Sequence, residues 1–591
     1  MRVVETTHSI WRYHMRTSLQ KMWKCILILV MTLMVLSACS DTEPPATLDA
    51  GENVDLAAHT AEFKQEVIKV TDGVYVAVGF GLANSILLEG DDGVIIVDTM
   101  ESVEAAVPVK EAFDKITSKP VKAIIYTHNH ADHIFGAKVF AGNDNPNVYS
   151  HESTLYYIDR ILSIIRPTIY RRSMRQFGTF LPEGEVLNAG IGPRLVFDNT
   201  TTTALIRPDK TFSGERLNLE IAGIKFELVH APGETNDQIF VWLPQKKVLL
   251  PADNFYKSFP NLYAIRGTPY RDVMQWVKSL DKMRALRPEY LVPSHTRPIT
   301  GAGRIYETLT NYRDAIQFVH DQTIRCMNQG LTPDEIVERV KLPPHLARLP
   351  YLHEYYGTVA WSVRAIFGGY LGWFDGNATN LFPLPLRERA ERLARLAGGE
   401  AALLEQAREA VAKSDHQWAL ELTDQLLLLR PELKVARELK AKALIELGGR
   451  QIASTARHYY LTQALEVQNK IQIGKMTLRD KDKDVLHSIP LQAVFNSMAV
   501  NLNPIKSADI DRIVGFRFPD AGEAFTVHVR RGVAEIQPRF PENPDISVTV
   551  NSDVWKEVAA GLRNPVVALF KDIEEEGGML NLLKFLGLFK G

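Results

Sequence analysis

The sequence predicts an α/β sandwich flanked by helices, followed by an all-α array and then a small α+β unit. Three observations lead there. Residues 74–126 alternate apolar strands, a turn and one helical stretch in the order β-β-β-α-β. After Pro385 the chain turns rich in Ala, Leu, Glu and Arg with helical spacing. Beyond residue 480 it changes again, to segments that alternate apolar and polar residues strictly. A chain of 591 residues is also too long for one core; at roughly 100–200 residues per domain, about three units are expected.

In chain order, a leader comes first. Arg16, Lys21 and Lys24 precede an apolar run at 26–36, which is shorter than the ~20 residues a membrane-spanning helix needs. The run ends in Leu36-Ser37-Ala38-Cys39, which resembles the lipobox of bacterial lipoproteins. The resemblance implies a signal peptide over 1–39, lipidation of Cys39, a polar tether over 40–60, and a periplasmic or outer-membrane location. An ordinary signal peptide with an incidental cysteine is the alternative, and Met15 is an alternative start. Strands are then expected at 74–78, 85–88 and 94–97, with Gly90-Asp91-Asp92-Gly93 as the turn between the last two. A helix is expected at 104–116 and a strand at 123–126, and further strands at 225–229, 239–242 and 248–250. The sandwich is assigned 61–384 and the helical array 385–475. In the array Leu403, Ala407 and Ala410 mark one helix, Trp418, Leu422 and Leu426 the next, and 436–447 a third, in a manner similar to tetratricopeptide packing. The last unit, 480–591, carries strands at 525–529 and 546–550 and apolar helices at 566–570 and 579–589.

Composition narrows the function classes. The formal net charge is -2, so neither nucleic acid nor an anionic membrane surface is an expected partner. Cys25, Cys39 and Cys326 are the only cysteines, which excludes a disulfide framework and a cysteine-based zinc site.

The chemistry lies in Thr127-His128-Asn129-His130-Ala131-Asp132-His133, directly after a strand. Burying so many polar groups without partners would be costly, and neutral imidazole and carboxylate are what catalytic zinc prefers. The H-x-H-x-D-H pattern is similar to that of the metallo-β-lactamase superfamily. That resemblance implies an αββα sandwich with two Zn2+ per chain, His128 and His130 on one ion and Asp132 and His133 on the other. It also implies the remaining ligands: Glu234, where the superfamily usually has histidine, Asp253 as the bridging carboxylate, and His295. Taken singly, Glu234 and Asp253 also read as surface acids. Two dications would lower the pKa of a bound water, giving a nucleophile at neutral pH. Asp98, at a strand end, reads either as a carboxylate that orients a ligand histidine or as a plain cap.

Asn261-Leu262-Tyr263-Ala264-Ile265-Arg266-Gly267 with Arg271-Asp272, the segment Tyr356-Gly357-Thr358-Val359, and the run from Val363 to Asn377 resemble bacterial alkylsulfatases, the dodecyl-sulfate hydrolases. The resemblance spans nearly the whole mature chain. It implies cleavage of alkyl sulfate esters to alcohol and sulfate, a helical domain that makes a homodimer, and a last domain similar to sterol carrier protein 2 (SCP2). Within it the metal-bound water, Asp132, Tyr263 and Arg266 are the expected catalytic groups, and Tyr263, Arg266 and Arg271 the sulfate binders. Arg271 reads equally as the partner of an acid. Aromatics between 355 and 374 are expected to serve the alkyl groove or the core. Asp253 departs from the glutamate of that family, which leaves open a hydrolase of another ester or a lactam. From another class, a lipid-binding lipoprotein with a structural metal site stands as the alternative.

Overall fold

The structure is a computed structural model that describes residues 48, 51, 53–474 and 479–589. The expected leader with Cys39 and the first part of the tether lie outside the described residues; the end of the expected tether is corrected, since Val54–His59 is a helix with Leu56 and His59 buried and with Asn188 donating to the Leu56 carbonyl.

The first sheet holds β1 (Glu66–Thr71), β2 (Val74–Val78), β3 (Ser85–Glu89), β4 (Val94–Val97), β5 (Val121–Ile125), β6 (Asn147–His151) and β7 (Lys210–Phe212), side by side in chain order. β1 to β4 pair antiparallel and β4 to β7 parallel. β4 reads Val-Ile-Ile-Val and is buried throughout, as a strand covered on both faces must be. A parallel step needs a crossover. Helix Val103–Asp114 supplies the one from β4 to β5, started by the Ser102 side chain accepting from the Ala105 N–H.

The second sheet holds β8 (Arg216–Ile221), β9 (Ile224–His230), β10 (Ile239–Leu243), β11 (Val248–Leu250), β12 (Tyr290–Leu291) and β13 (Ile299–Thr300), ordered β13-β12-β11-β10-β9-β8. Val76, Ile86, Val97 and Ile125 of the first sheet pack with Phe226, Leu228, Val241 and Leu250 of the second in one buried cluster. Val109 and Phe113 cover the outside of the first sheet. Helices Val273–Ala285, Ala302–Asn328 and Val359–Leu371 cover the second. The layers are therefore helix, sheet, sheet, helix: the αββα sandwich. Between β6 and β7 the chain inserts helix Ser153–Asp159, the π-helical turn Arg160–Ile164, helix Arg166–Gln176 and an irregular stretch.

Five helices follow, Leu386–Leu396, Glu400–Ala412, His416–Leu429, Lys434–Gly449 and Ser454–Val467, around Leu403, Ala407, Leu422, Leu426 and Ala436. The last unit is a sheet of β14 (Asp511–Phe518), β15 (Glu523–Arg530), β16 (Val533–Gln537), β17 (Ile546–Val550) and β18 (Ile573–Glu576), ordered β16-β15-β14-β17-β18. Phe495, Phe516 and Trp555 stack between that sheet and its helices. The final apolar stretch is helical from Met579 to Leu586 and then tightens into a 3-10 turn, Gly587–Phe589. Among the described residues no helix is long and apolar enough to cross a membrane.

Candidate metal centre

Strand ends deliver the polar residues. β4 runs into Asp98, β5 into Thr127 and His128, β9 into the turn before Glu234, β11 into Asp253, and the loop after β12 into Ser294 and His295. Asp98, Met100, Ala252 and Thr296 all hold positive φ, between 54° and 68°. Such conformations cost non-glycine residues roughly 1 kcal/mol or more each and gather where a surrounding structure over-determines them.

The side chains converge. His128 Nε2 and His130 Nδ1 are 2.9 Å apart. Asp253 Oδ2 lies 3.6 Å from His128 Nε2, 3.5 Å from His133 Nε2 and 3.2 Å from His295 Nε2. Asp132 Oδ2 is 3.5 Å from both His133 Nε2 and His295 Nε2. The donor atoms of His128, His130, Glu234 and Asp253 lie within 4.8 Å of one another, as do those of Asp132, His133 and His295. Asp253 touches both groups. Ligand atoms around a tetrahedral zinc with bonds of about 2.1 Å stand about 3.4 Å apart, so these spacings suit cations between them.

The outward-facing atoms are held in place. Asp98 Oδ2 meets His133 Nδ1 at 2.8 Å and accepts from Ser294 Oγ at 2.8 Å, while Asp98 Oδ1 accepts from the Thr127 N–H at 2.9 Å. His295 Nδ1 sits 2.9 Å from the Leu82 carbonyl, and His128 Nδ1 sits 3.0 Å from Thr127 Oγ1. Asn129, between the two histidines, donates to Asp237 at 2.6 Å. Arg271 pairs with Glu234 at 2.9 Å and also donates to the Asn261 carbonyl; both charged groups are buried. The Glu234 N–H is fixed by Asn254 Oδ1, an atom that a Cβ on Gly233 would strike.

Burial and charge pull the groups apart in acidity. Burial, with His133 beside it, lowers His128 to about 3. Asp132 is buried too, yet His133 and His295 hold it down to about 2. Burial pushes Glu234 up to about 8 against the pull of Arg271. Burial pulls His295 down, but Asp253 pulls it further up, to about 8. His133 Nε2, Asp253 Oδ1 and Glu234 Oε2 are buried without a hydrogen-bond partner. Each such orphan costs about 1–3 kcal/mol. Lone pairs of neutral imidazoles and carboxylates aimed at a common space are what bound cations satisfy, so the residues present fit two metal ions.

A cavity opens beside the centre. Its polar end is formed by His130, Asp132, Glu234, Asp253, Arg266 and Tyr356, and its wall by apolar residues such as Ile158, Leu162, Ile169, Met174, Phe177 and Phe197. Arg266 Nη2 is 3.0 Å from His130 Nε2, and its Nη1 is buried with no partner. Arg271 lies on Glu234, beneath this cavity's polar end. Tyr263 lines a different surface cavity, with Tyr270, Trp361 and Arg364, and does not line the one at the metal groups. Of the aromatics from 355 to 374, Tyr356 alone lines the main cavity, while Tyr370 and Trp373 are exposed. The expected aromatic groove is corrected accordingly: the apolar wall is drawn mainly from the insertion between β6 and β7. The spacing of ligand motifs gives no sign of Tyr356 or of that wall; the signal available was the apolar content of 158–177, set in a long stretch between strands.

The sandwich with ligands at these strand ends defines a chain of the metallo-β-lactamase superfamily, and the model of that superfamily matches residues 78–295. Two more family models match: alkyl sulfatase dimerisation over 332–470 and alkyl sulfatase C-terminal over 479–590. A linear primary-alkylsulfatase of Pseudomonas sp. (strain ATCC 19151) is 39% identical over 521 residues, covering 85% of this chain and 98% of the relative. An alkyl/aryl-sulfatase of Saccharomyces cerevisiae is 31% identical, covering 88% of this chain and 82% of its own. The solved structure of a stereoselective inverting sec-alkylsulfatase from Pseudomonas sp. superposes with a TM-score of 0.84 at 26% identity, over 93% of this chain and 88% of that one. The chain belongs to the alkylsulfatase family, hydrolases of the metallo-β-lactamase superfamily.

Proposed function

We propose that the chain hydrolyses linear alkyl sulfate esters to alcohol and inorganic sulfate at a centre of two zinc ions. The observation that carries this reading is one cavity with two characters: a charged end at the ligand groups and an apolar remainder that suits an alkyl tail. His128, His130 and Glu234 would hold one ion and Asp132, His133 and His295 the other, with Asp253 within reach of both groups. When bound, the ions lower the pKa of a coordinated water and screen charge on the sulfate. Arg266, whose Nη1 has no other partner, grips the sulfate with Tyr356 alongside. Arg271 holds Glu234 through Nη1 and sets the charge of that ligand, and it lines a second cavity with His130, Glu234 and Arg266. Tyr263 takes part if the loop bearing it turns inward.

The proposed domain limits are 61–384, 385–475 and 480–591, the last with an SCP2-like role in holding apolar chains. The helical domain forms a homodimer, and the chain is exported and anchored through Cys39. Sulfate release from dodecyl sulfate by the zinc-loaded protein tests the activity. Chelation abolishes it and zinc restores it. No release across chain lengths, with two metal equivalents bound, would overturn the substrate assignment. Size in solution and membrane association of a Cys39→Ala variant check the dimer and the anchor.

A further inference from the structure

The wall of the cavity beside the metal groups also includes Leu162, Arg166 and Val485. Leu162 and Arg166, with Ser163 and Pro167, also line another cavity, whose other wall comes from the last unit and includes Leu486, Val494 and Met498. The two cavities thus share a wall, and Val485 of one adjoins Leu486 of the other in sequence. Leu162 belongs to one continuous apolar cluster with Val485, Leu486 and Met498, so apolar contact does not break at the domain boundary. It stands on the π-helical turn Arg160–Ile164, which packs against helix Leu491–Val500. Such turns are rare and concentrate at functional sites.

We propose that Leu162 is the specificity-determining partition for substrate length: the methyl end of a tail longer than the first cavity passes this side chain and ends in the cavity of the last unit. The proposal rests on the alkyl sulfate reading. Its physical basis is that each methylene taken from water contributes about 0.8 kcal/mol, or roughly fourfold in affinity, only while apolar wall remains to receive it. Short tails are confined to the first cavity and do not sense the partition. Long tails gain the extra factor only if Leu162 yields space. The occupant is therefore the far end of a straight aliphatic chain, with the anionic head held at the metal side.

The test compares the wild type with Leu162→Trp, Leu162→Ala and Met498→Trp. kcat/KM is measured for hexyl to hexadecyl sulfates, and Kd for hexyl- and dodecylphosphonate, which carry an anionic head but cannot be hydrolysed. Leu162→Trp and Met498→Trp are expected to lower the dodecyl-to-hexyl ratio at least tenfold in both measurements, and Leu162→Ala to raise the ratio for the longest chains. Met498→Trp lies in the last unit, so it reads the second cavity without altering the turn itself, and it decides the matter if the Leu162 variants do not fold. A length profile that is the same in wild type and Met498→Trp overturns the partition. Wild-type protein that binds the phosphonates with the expected length dependence but hydrolyses no sulfate ester refutes the alkylsulfatase reading and leaves the partition standing.

Discussion

Asp98→Asn is the substitution with the best-defined consequence. Asp98 is fully buried, and its Oδ2 receives both His133 Nδ1 and Ser294 Oγ at 2.8 Å. As a carboxylate it accepts the Nδ1 proton, which leaves the lone pair on His133 Nε2 aimed toward Asp253 and Asp132 at 3.5 Å. An asparagine that keeps its oxygen on the Thr127 N–H turns its NH2 toward His133. The ring answers by accepting at Nδ1 and carrying its proton on Nε2, where a metal ligand must have none. A hydrogen bond to a charged group is worth about 1.5–3 kcal/mol, and loss of a partner that orients a metal-bound histidine costs 10–100-fold in metal affinity, about 1.4–2.7 kcal/mol. The two estimates agree. Chelator competition with elemental analysis is the assay. The variant is expected to keep one equivalent of zinc at near wild-type affinity and to hold the second at least tenfold more weakly, with the fold preserved by circular dichroism. Two equivalents at wild-type affinity would refute the tautomer reasoning.

Arg271→Met removes the guanidinium that pulls against burial at Glu234, so that carboxyl, already up to about 8, is held neutral more firmly. Chelator competition at pH 7 should then show zinc held roughly tenfold more weakly than in the wild type, a loss that shrinks as the pH rises. Gly233→Ala places a methyl on Asn254 Oδ1, which fixes the Glu234 N–H, so zinc stoichiometry and turnover should both fall. His59 stacks on Tyr355 and hydrogen-bonds the Gly190 carbonyl, and burial lowers its pKa to about 4. The unfolded chain, titrating at the usual 6.5, takes up the proton first, so stability is complete above pH 6.5 and falls as the pH drops toward 4. The loss is about 2 kcal/mol at pH 5, and urea denaturation at pH 7 and pH 5 should show a smaller difference in His59→Phe.

The clustering of candidate ligands was legible because a cation needs particular atoms at particular spacings, and His128 to His133 bring four donors within six residues. The strands 74–78, 94–97 and 248–250 were legible because burial on both faces demands unbroken apolar runs. Other elements carried weaker local signals. β8 alternates exposed and half-buried residues on an edge, and β7 has three residues. Helix Ala302–Asn328 mixes polar and apolar residues along its length. The engagement of Arg271 with Glu234 joins residues far apart in sequence, so the pairing is set by folding and not by local pattern. The exposure of Trp373 also escaped, since a tryptophan in an apolar run reads as core until the helix beneath it is seen to end at Leu371.

The division of labour between strand ends and insertion has a consequence for how such catalysts diversify. Every candidate metal ligand lies outside the segment between β6 and β7, and that segment supplies most of the apolar wall. Reaction chemistry and tail recognition are therefore written in separate stretches of the gene. Variation confined to residues 153–206 would reshape the clientele of esters while every candidate metal ligand is inherited unchanged, provided that Arg172 and Gln176, which hold the Arg266 backbone, are kept.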